Sequence, residues 1–76
     1  MKVEILTPDK TLFSGDADVV TVPGINGSLQ ILENHAPMIA NLKKGSLSIK
    51  SKDGKQQFDV TGGLVEVLKN KVIVLV

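Results

Sequence analysis

Apolar residues recur at every second position along most of this 76-residue chain and almost nowhere at every third or fourth. Successive side chains of a strand point to opposite faces, so this period specifies half-buried strands, whereas an amphipathic helix needs spacings of three and four. "KVEIL" sets Val3 and Ile5 on one face and ends in a turn over Thr7, Pro8, Asp9 and Lys10. "TLFSGDADVVTVPG" carries Leu12 and Phe13, a kink or bulge expected at Gly15, then Val20 and Val22 on a strand that stops at Pro23-Gly24. Asn26-Gly27 is predicted as the centre of a type I′ hairpin turn, where both residues need positive φ, and Asp53-Gly54 marks a second hairpin between Leu47/Ile49 and Phe58/Val60. "LVEVLKNKVIVLV" breaks at Lys69, Asn70 and Lys71 into two last strands. The uncharged run Val72 to Val76 is predicted as a central strand covered on both faces, or as an interface strand. Roughly eight to ten short strands with turns between them give an all-β sandwich or barrel, mostly antiparallel. With no helix, repeat or linker in view, residues 1–76 are expected to form one domain.

Composition narrows the chemistry. A chain of this length hides only about 60% of its unfolded surface, and it has no cysteine to reinforce it, an absence that fits a reducing compartment. Nine lysines against eight acids leave a net charge of +1, and there is no arginine. That balance argues against nucleic-acid or membrane-surface binding driven by charge. The stretch before Pro8 is too short for a signal peptide or a membrane span, so a soluble protein with no membrane insertion is expected.

His35 is the only histidine. It has no cysteine or nucleophile elbow to work with, and no catalytic residue is assigned. Asp16, Asp18 and Glu33 lack metal-ligand spacing and read as solvated acids, so neither a metal nor another cofactor is expected. "TGGL" at 61 to 64 precedes a strand rather than the helix of a phosphate loop. Gly62 and Gly63 are therefore expected to mark a tight bend or a close backbone approach. Lys43-Lys44 read as a solvated turn. Two phenylalanines at apparent core positions are a poor stacking platform for single strands.

"FSGDADVVTVPGINGSLQILENHAPMIANLKKGSLSI" followed by "TGGLVEVLKNKVIVLV" closely resembles the N-terminal domain of the epsilon subunit of F-type ATP synthases, end to end. Phe13-Ser14-Gly15, the stretch from Gly24 to Leu32, His35-Ala36-Pro37, Lys44-Gly45 and Gly62-Gly63-Leu64 with Glu66-Val67 carry the resemblance. It implies a flattened sandwich of about ten strands. It also implies a non-catalytic subunit of the central stalk of a proton-translocating enzyme, within a hetero-oligomeric complex at the cytoplasmic face of a bacterial inner membrane. The implied partners are the gamma subunit, met by the segment with His35, Pro37, Met38 and Ala40, and the loops of the c-ring, met by Asn26, Gly27 and Ser28. Many relatives place acids in that second loop, where this chain has a neutral tip. Met38 and Ile39 are neighbours on a strand, so only one can enter the core and the other must face outward.

The family usually continues into a C-terminal helical hairpin that in some members binds ATP or inhibits hydrolysis. This sequence ends at Val76 with the sandwich complete, and such inhibition is expected to be absent. For His35 an interface role and a turn-shaping role are compatible, because Pro37 biases Ala36 toward extended geometry and an imidazole can tie the turn. Two other classes stay open: a lipoyl- or biotinyl-type carrier modified at Lys55, and an OB-type single-strand nucleic-acid binder. The carrier lacks its flanking signature, and the binder would release its ligand steeply with salt.

Overall fold

The computed structural model describes residues 1–76 and contains nine strands and no helix. They are β1 (Lys2–Leu6), β2 (Thr11–Asp16), β3 (Val19–Gly24), β4 (Gly27–Leu32), β5 (Met38–Leu42), β6 (Gly45–Ser51), β7 (Gly54–Val60), β8 (Gly63–Leu68) and β9 (Lys71–Leu75). One continuous sheet runs β2-β1-β9-β8-β5-β3-β6-β7, with β4 along the remaining edge of β3. Every pairing is antiparallel except β1 with β9. The β5–β3 step consists of one residue pair, Leu42 with Gly24. It is flanked by hydrogen bonds from the Ile25 amide to the Asn41 carbonyl (3.0 Å) and from the Lys43 amide to the Pro23 carbonyl (2.8 Å). At this narrow join the sheet curls over, and its two halves meet across one core. The far edges close by an edge-to-face contact between Phe13 on β2 and Phe58 on β7, with ring centroids 6.4 Å apart. The expected all-β architecture is thus observed, with nine strands.

The alternation places the core as read from the sequence. Val3, Ile5, Val20, Val22 and Leu47 are fully buried, Ile49 and Val60 nearly so, and Phe58 packs against them from the margin. Of the ten largest fully buried side chains only Leu47 is not β-branched. Valine and isoleucine are already stiff at χ1, so ordering them sacrifices little rotamer freedom, and each contributes roughly 1.5–3 kcal/mol of burial.

Three local expectations shift. The extra residue of β2 is Leu12, not Gly15: Ile5 pairs with Phe13 and Leu6 with Thr11, while Gly15 pairs regularly with Val3. That bulge lets the adjacent apolar residues Leu12 and Phe13 both pack against the core, which an unbroken pleat forbids. The β3–β4 turn centres on Ile25-Asn26, because Gly24 and Gly27 form the closing pair, and the β6–β7 turn likewise centres on Lys52-Asp53, closed by Ser51 and Gly54. Positive φ falls only on the glycine that follows each, 131° at Gly27 and 126° at Gly54. The turn with two positive-φ centres is instead Lys69-Asn70, at 51° and 58°, the pattern of type I′. Finally, β9 is central in the sheet but covered on one face, with Val72 and Val74 fully buried and Leu75 exposed.

Gly62 and Gly63 hold φ of 142° and 140°. A Cβ on Gly63 would stand 2.0 Å from the Leu75 carbonyl oxygen, so the expected close backbone approach is present. Met1 anchors the opposite end. Its ammonium donates to the Ala17 carbonyl at 3.1 Å and to Glu33 Oε1, while the Ala17 amide donates back to the Met1 carbonyl at 2.9 Å. Glu33 Oε2 accepts from Asn70 Nδ2 at 2.9 Å, and Asn70 Oδ1 accepts from the Asn34 amide at 2.8 Å. The β4 end, the β8–β9 turn and the start of β1 are thereby tied together.

Two predictions follow from this packing. Gly63→Ala should lower stability by about 3 kcal/mol or more in denaturant unfolding, since the site combines a conformation almost restricted to glycine with a backbone clash. The Glu33 carboxyl is held below its ordinary value of 4.5, first by the Met1 ammonium and next by Asn70, with desolvation opposing. A carboxyl with a depressed folded value stabilises fully above its unfolded value and loses that contribution as pH falls through the folded one. Melting temperatures between about pH 3 and 6 should therefore fall less steeply in Glu33→Gln than in the unaltered chain.

Candidate functional site

The β4–β5 connection begins with Glu33 and Asn34, the latter at a φ of 60°. His35 follows, half-buried. Its amide donates to the Leu32 carbonyl at 3.2 Å, and its Nδ1–H donates to the Ala36 carbonyl at 2.7 Å. The imidazole therefore ties the turn ahead of Pro37, the shaping role expected of it. Neither ion pair of the chain involves it.

Past Pro37, which is exposed, β5 alternates. Met38, Ala40 and Leu42 form its inner row, opposite Val67, Val65 and Gly63 of β8. Met38 and Ala40 are half-buried and pack against the core. Ile39, opposite Glu66, is the member of the adjacent pair that faces outward, and at 66% it is the most exposed large apolar side chain. The parity is set by Leu42, which the one-pair join holds 5% exposed in the core. Counting back by twos carries Ala40 and Met38 inward with it.

At the β3–β4 tip, Asn26 and Ser28 are exposed, Gly27 is half-buried, and Ile25 stands 55% exposed. This tip and β5 border a single open cleft of about 490 Å³, with Gly24 to Gly27 and Leu29 on one wall and Met38 to Asn41 on the other. The structure thus brings the Asn26-Gly27 tip beside Met38 and Ala40, although the sequence assigned them to different partners. Ser28, His35 and Pro37 lie outside the cleft lining. Pro37 borders a second, shallower groove with Ile39, Glu66 and Leu68.

Ile25 and Ile39 are the functional candidates that sequence reasoning passed over. Their signal was available: each is a large apolar residue out of phase with the alternation around it. Lys55, the residue a carrier would modify, lies inside β7 opposite Lys50, and the hairpin tip itself is Lys52-Asp53. The outer face of the β5, β8 and β9 ladder carries further apolar residues. Ile39 and Ile73 flank Glu66 in one row, and Leu68 and Leu75 are about half exposed. An isolated charge pair, Lys71 Nζ to Glu4 Oε1 at 3.3 Å, borders this strip, and exposed pairs of that kind contribute little.

Comparison with known proteins places this architecture. The family described as "ATP synthase, Delta/Epsilon chain, beta-sandwich domain" matches residues 1–76. An ATP synthase epsilon chain of Symbiobacterium thermophilum is 46% identical over 99% of this chain, which spans 55% of that relative. The ATP synthase epsilon chain of Chlorobaculum tepidum is 42% identical over 96% of this chain and 84% of its own length. A chain in the structure of the Tetrahymena thermophila mitochondrial ATP synthase central stalk and c-ring superposes with a TM-score of 0.84 at 26% identity, covering 97% of this chain and 60% of that one. The fold, the family match over every residue and the identity to both relatives agree: this chain belongs to the beta-sandwich domain family of ATP synthase delta and epsilon chains.

Proposed function

We propose that the chain is a non-catalytic rotor subunit in the central stalk of a proton-translocating F-type ATP synthase, joining the gamma subunit to the c-ring in a hetero-oligomeric complex on the cytoplasmic side of a bacterial membrane. The observation that carries this reading is the cleft between the β3–β4 tip and β5, whose two walls present Ile25 and Ile39, the two most exposed large apolar residues. Single exposed apolar residues are ordinary, but two of them rimming one apolar depression on a family member mark an interaction site. The relative from Chlorobaculum supports it, since 84% of that epsilon chain is accounted for by this domain alone.

In this reading the β5 side of the cleft meets gamma. Ile39 enters the partner surface, Met38 and Ala40 form the floor beneath it, and His35 and Pro37 fix the approach of the strand. Asn26, Gly27 and Ser28 at the tip meet the c-ring loops. The tip is neutral, so contact there rests on shape and on hydrogen bonds from Asn26 and Ser28 rather than on charge.

The reading is tested by capture of gamma from native membranes together with assembled-enzyme assays. Ile39→Asp should weaken gamma capture about tenfold or more while the isolated domain melts normally, because the side chain is solvated before binding and desolvated after it. Met38→Asp should destabilise the isolated domain by about 2 kcal/mol or more, because it pushes a carboxylate against the core margin. Full gamma capture by Ile39→Asp would move the interface elsewhere. At the tip, a Cβ on Gly27 meets nothing within 4 Å, but its φ of 131° strains any other residue. Gly27→Arg should therefore lower the melting temperature and, in complexes that retain the subunit, reduce coupled proton pumping. Normal pumping in such complexes would place the c-ring contact in another loop.

A further inference from the structure

The end of the sandwich away from the cleft holds an amine for which the stalk role has no use. The Met1 side chain is 1% exposed, and its ammonium is fixed between the Ala17 carbonyl and the Glu33 carboxylate. Asp16, Asp18 and Asp53 line the same depression, with Lys52 as the only lysine there. Four carboxylates therefore surround the α-ammonium, and the one that touches it is also the one that Asn70 secures.

We propose that the α-amino group of Met1 is a modification-sensitive site, at which an N-acyl group such as formyl prevents this end from closing and its hydrolytic removal is a maturation step for the fold. Acylation converts an ammonium with three N–H donors into a neutral amide with one. That single N–H cannot serve Ala17 and Glu33 together, and the charge that offsets Asp16, Asp18 and Asp53 disappears. The acyl carbonyl also has to fit beside a residue already packed into the core. In deformylation, water adds to the formamide carbon and the C–N bond breaks. Formate departs with the water oxygen, and the proton of the nascent formic acid stays on the amine as the ammonium that Glu33 binds. This inference stands on the closed end alone and is independent of the stalk reading.

The test uses the 76-residue chain made by chemical synthesis with a free, an N-formyl or an N-acetyl terminus, each with Glu33 or Glu33→Gln. Acylation should reduce the folded-to-unfolded ratio about tenfold in the Glu33 background, the order expected for losing a charge-assisted hydrogen bond, and markedly less in Glu33→Gln. Equal unfolding midpoints for free and formylated chains would overturn the proposal. So would an equal loss in both backgrounds, which would assign the effect to volume alone. A second measurement avoids substitution. With an amine-reactive ester, labelling of Met1 relative to the lysines should be at least about tenfold slower in native buffer than in denaturant, by the ordering of a buried, bonded amine. Equal relative rates would also overturn it.

Discussion

An apolar sheet face must be covered, and this chain has no helix and no second sheet with which to cover it. It covers the face with itself. One sheet folds at the Gly24–Leu42 pair, so that Val3, Ile5, Val72 and Val74 from one half meet Val20, Val22, Leu47 and Ile49 from the other. The fold therefore turns on a join one residue pair wide, and stiff β-branched side chains suit it because they hold their shape as the halves close. The same join generates the cleft. β3 belongs to one half and continues into the tip with β4, while β5 belongs to the other, so the bend leaves the tip and β5 side by side. A candidate interface made of segments far apart in sequence is thus a by-product of how the core is covered.

How far the sequence reveals this depends on the range of the interaction involved. Period-two spacing fixes which of Val3, Ile5, Leu47 and Val60 face inward, because that signal is local and repeats. The Leu12 bulge is harder to see: it arises from two adjacent apolar residues that both find the core, and the glycine nearby draws attention away from it. Asn26-Gly27 marks the right hairpin but the wrong residues within it, since the closing pair is set by the Gly24–Gly27 register. Lys69-Asn70 adopts positive φ at both positions without the usual glycine. There Asn70 is fixed by Glu33 and by the Asn34 amide, partners invisible to any local pattern. For the candidate site, the resemblance supplied the segments and the alternation supplied the rule that one of Met38 and Ile39 faces out. Which one required Leu42, four residues on and held by another strand.

The exposed surface is organised around Ile39, which lines both the cleft and the shallower groove with Pro37, Glu66 and Leu68. A partner lying along β5 would meet apolar surface on both sides of that strand without crossing a charged ridge, and Glu66 is the only acid among the residues of the two depressions. Because the platform beneath consists of paired backbone and stiff side chains, little of it has to be ordered on binding, which favours a firm joint from a modest area.

The single parallel pairing carries a consequence for the order of events during synthesis. β9 lies between β1 and β8, so the first strand made has no neighbour on that side until the ninth exists. The β1–β2 hairpin can pair early, but an isolated hairpin is marginal in water, and Val3 and Ile5 stay wet until Val72 and Val74 arrive. On a ribosome this half of the sandwich must wait for residues near position 75 to clear the exit tunnel, while β3, β4, β6 and β7 are already long out. Assembly of the domain is thereby made late and concerted, with its slow step set by long-range loop closure rather than by any local element.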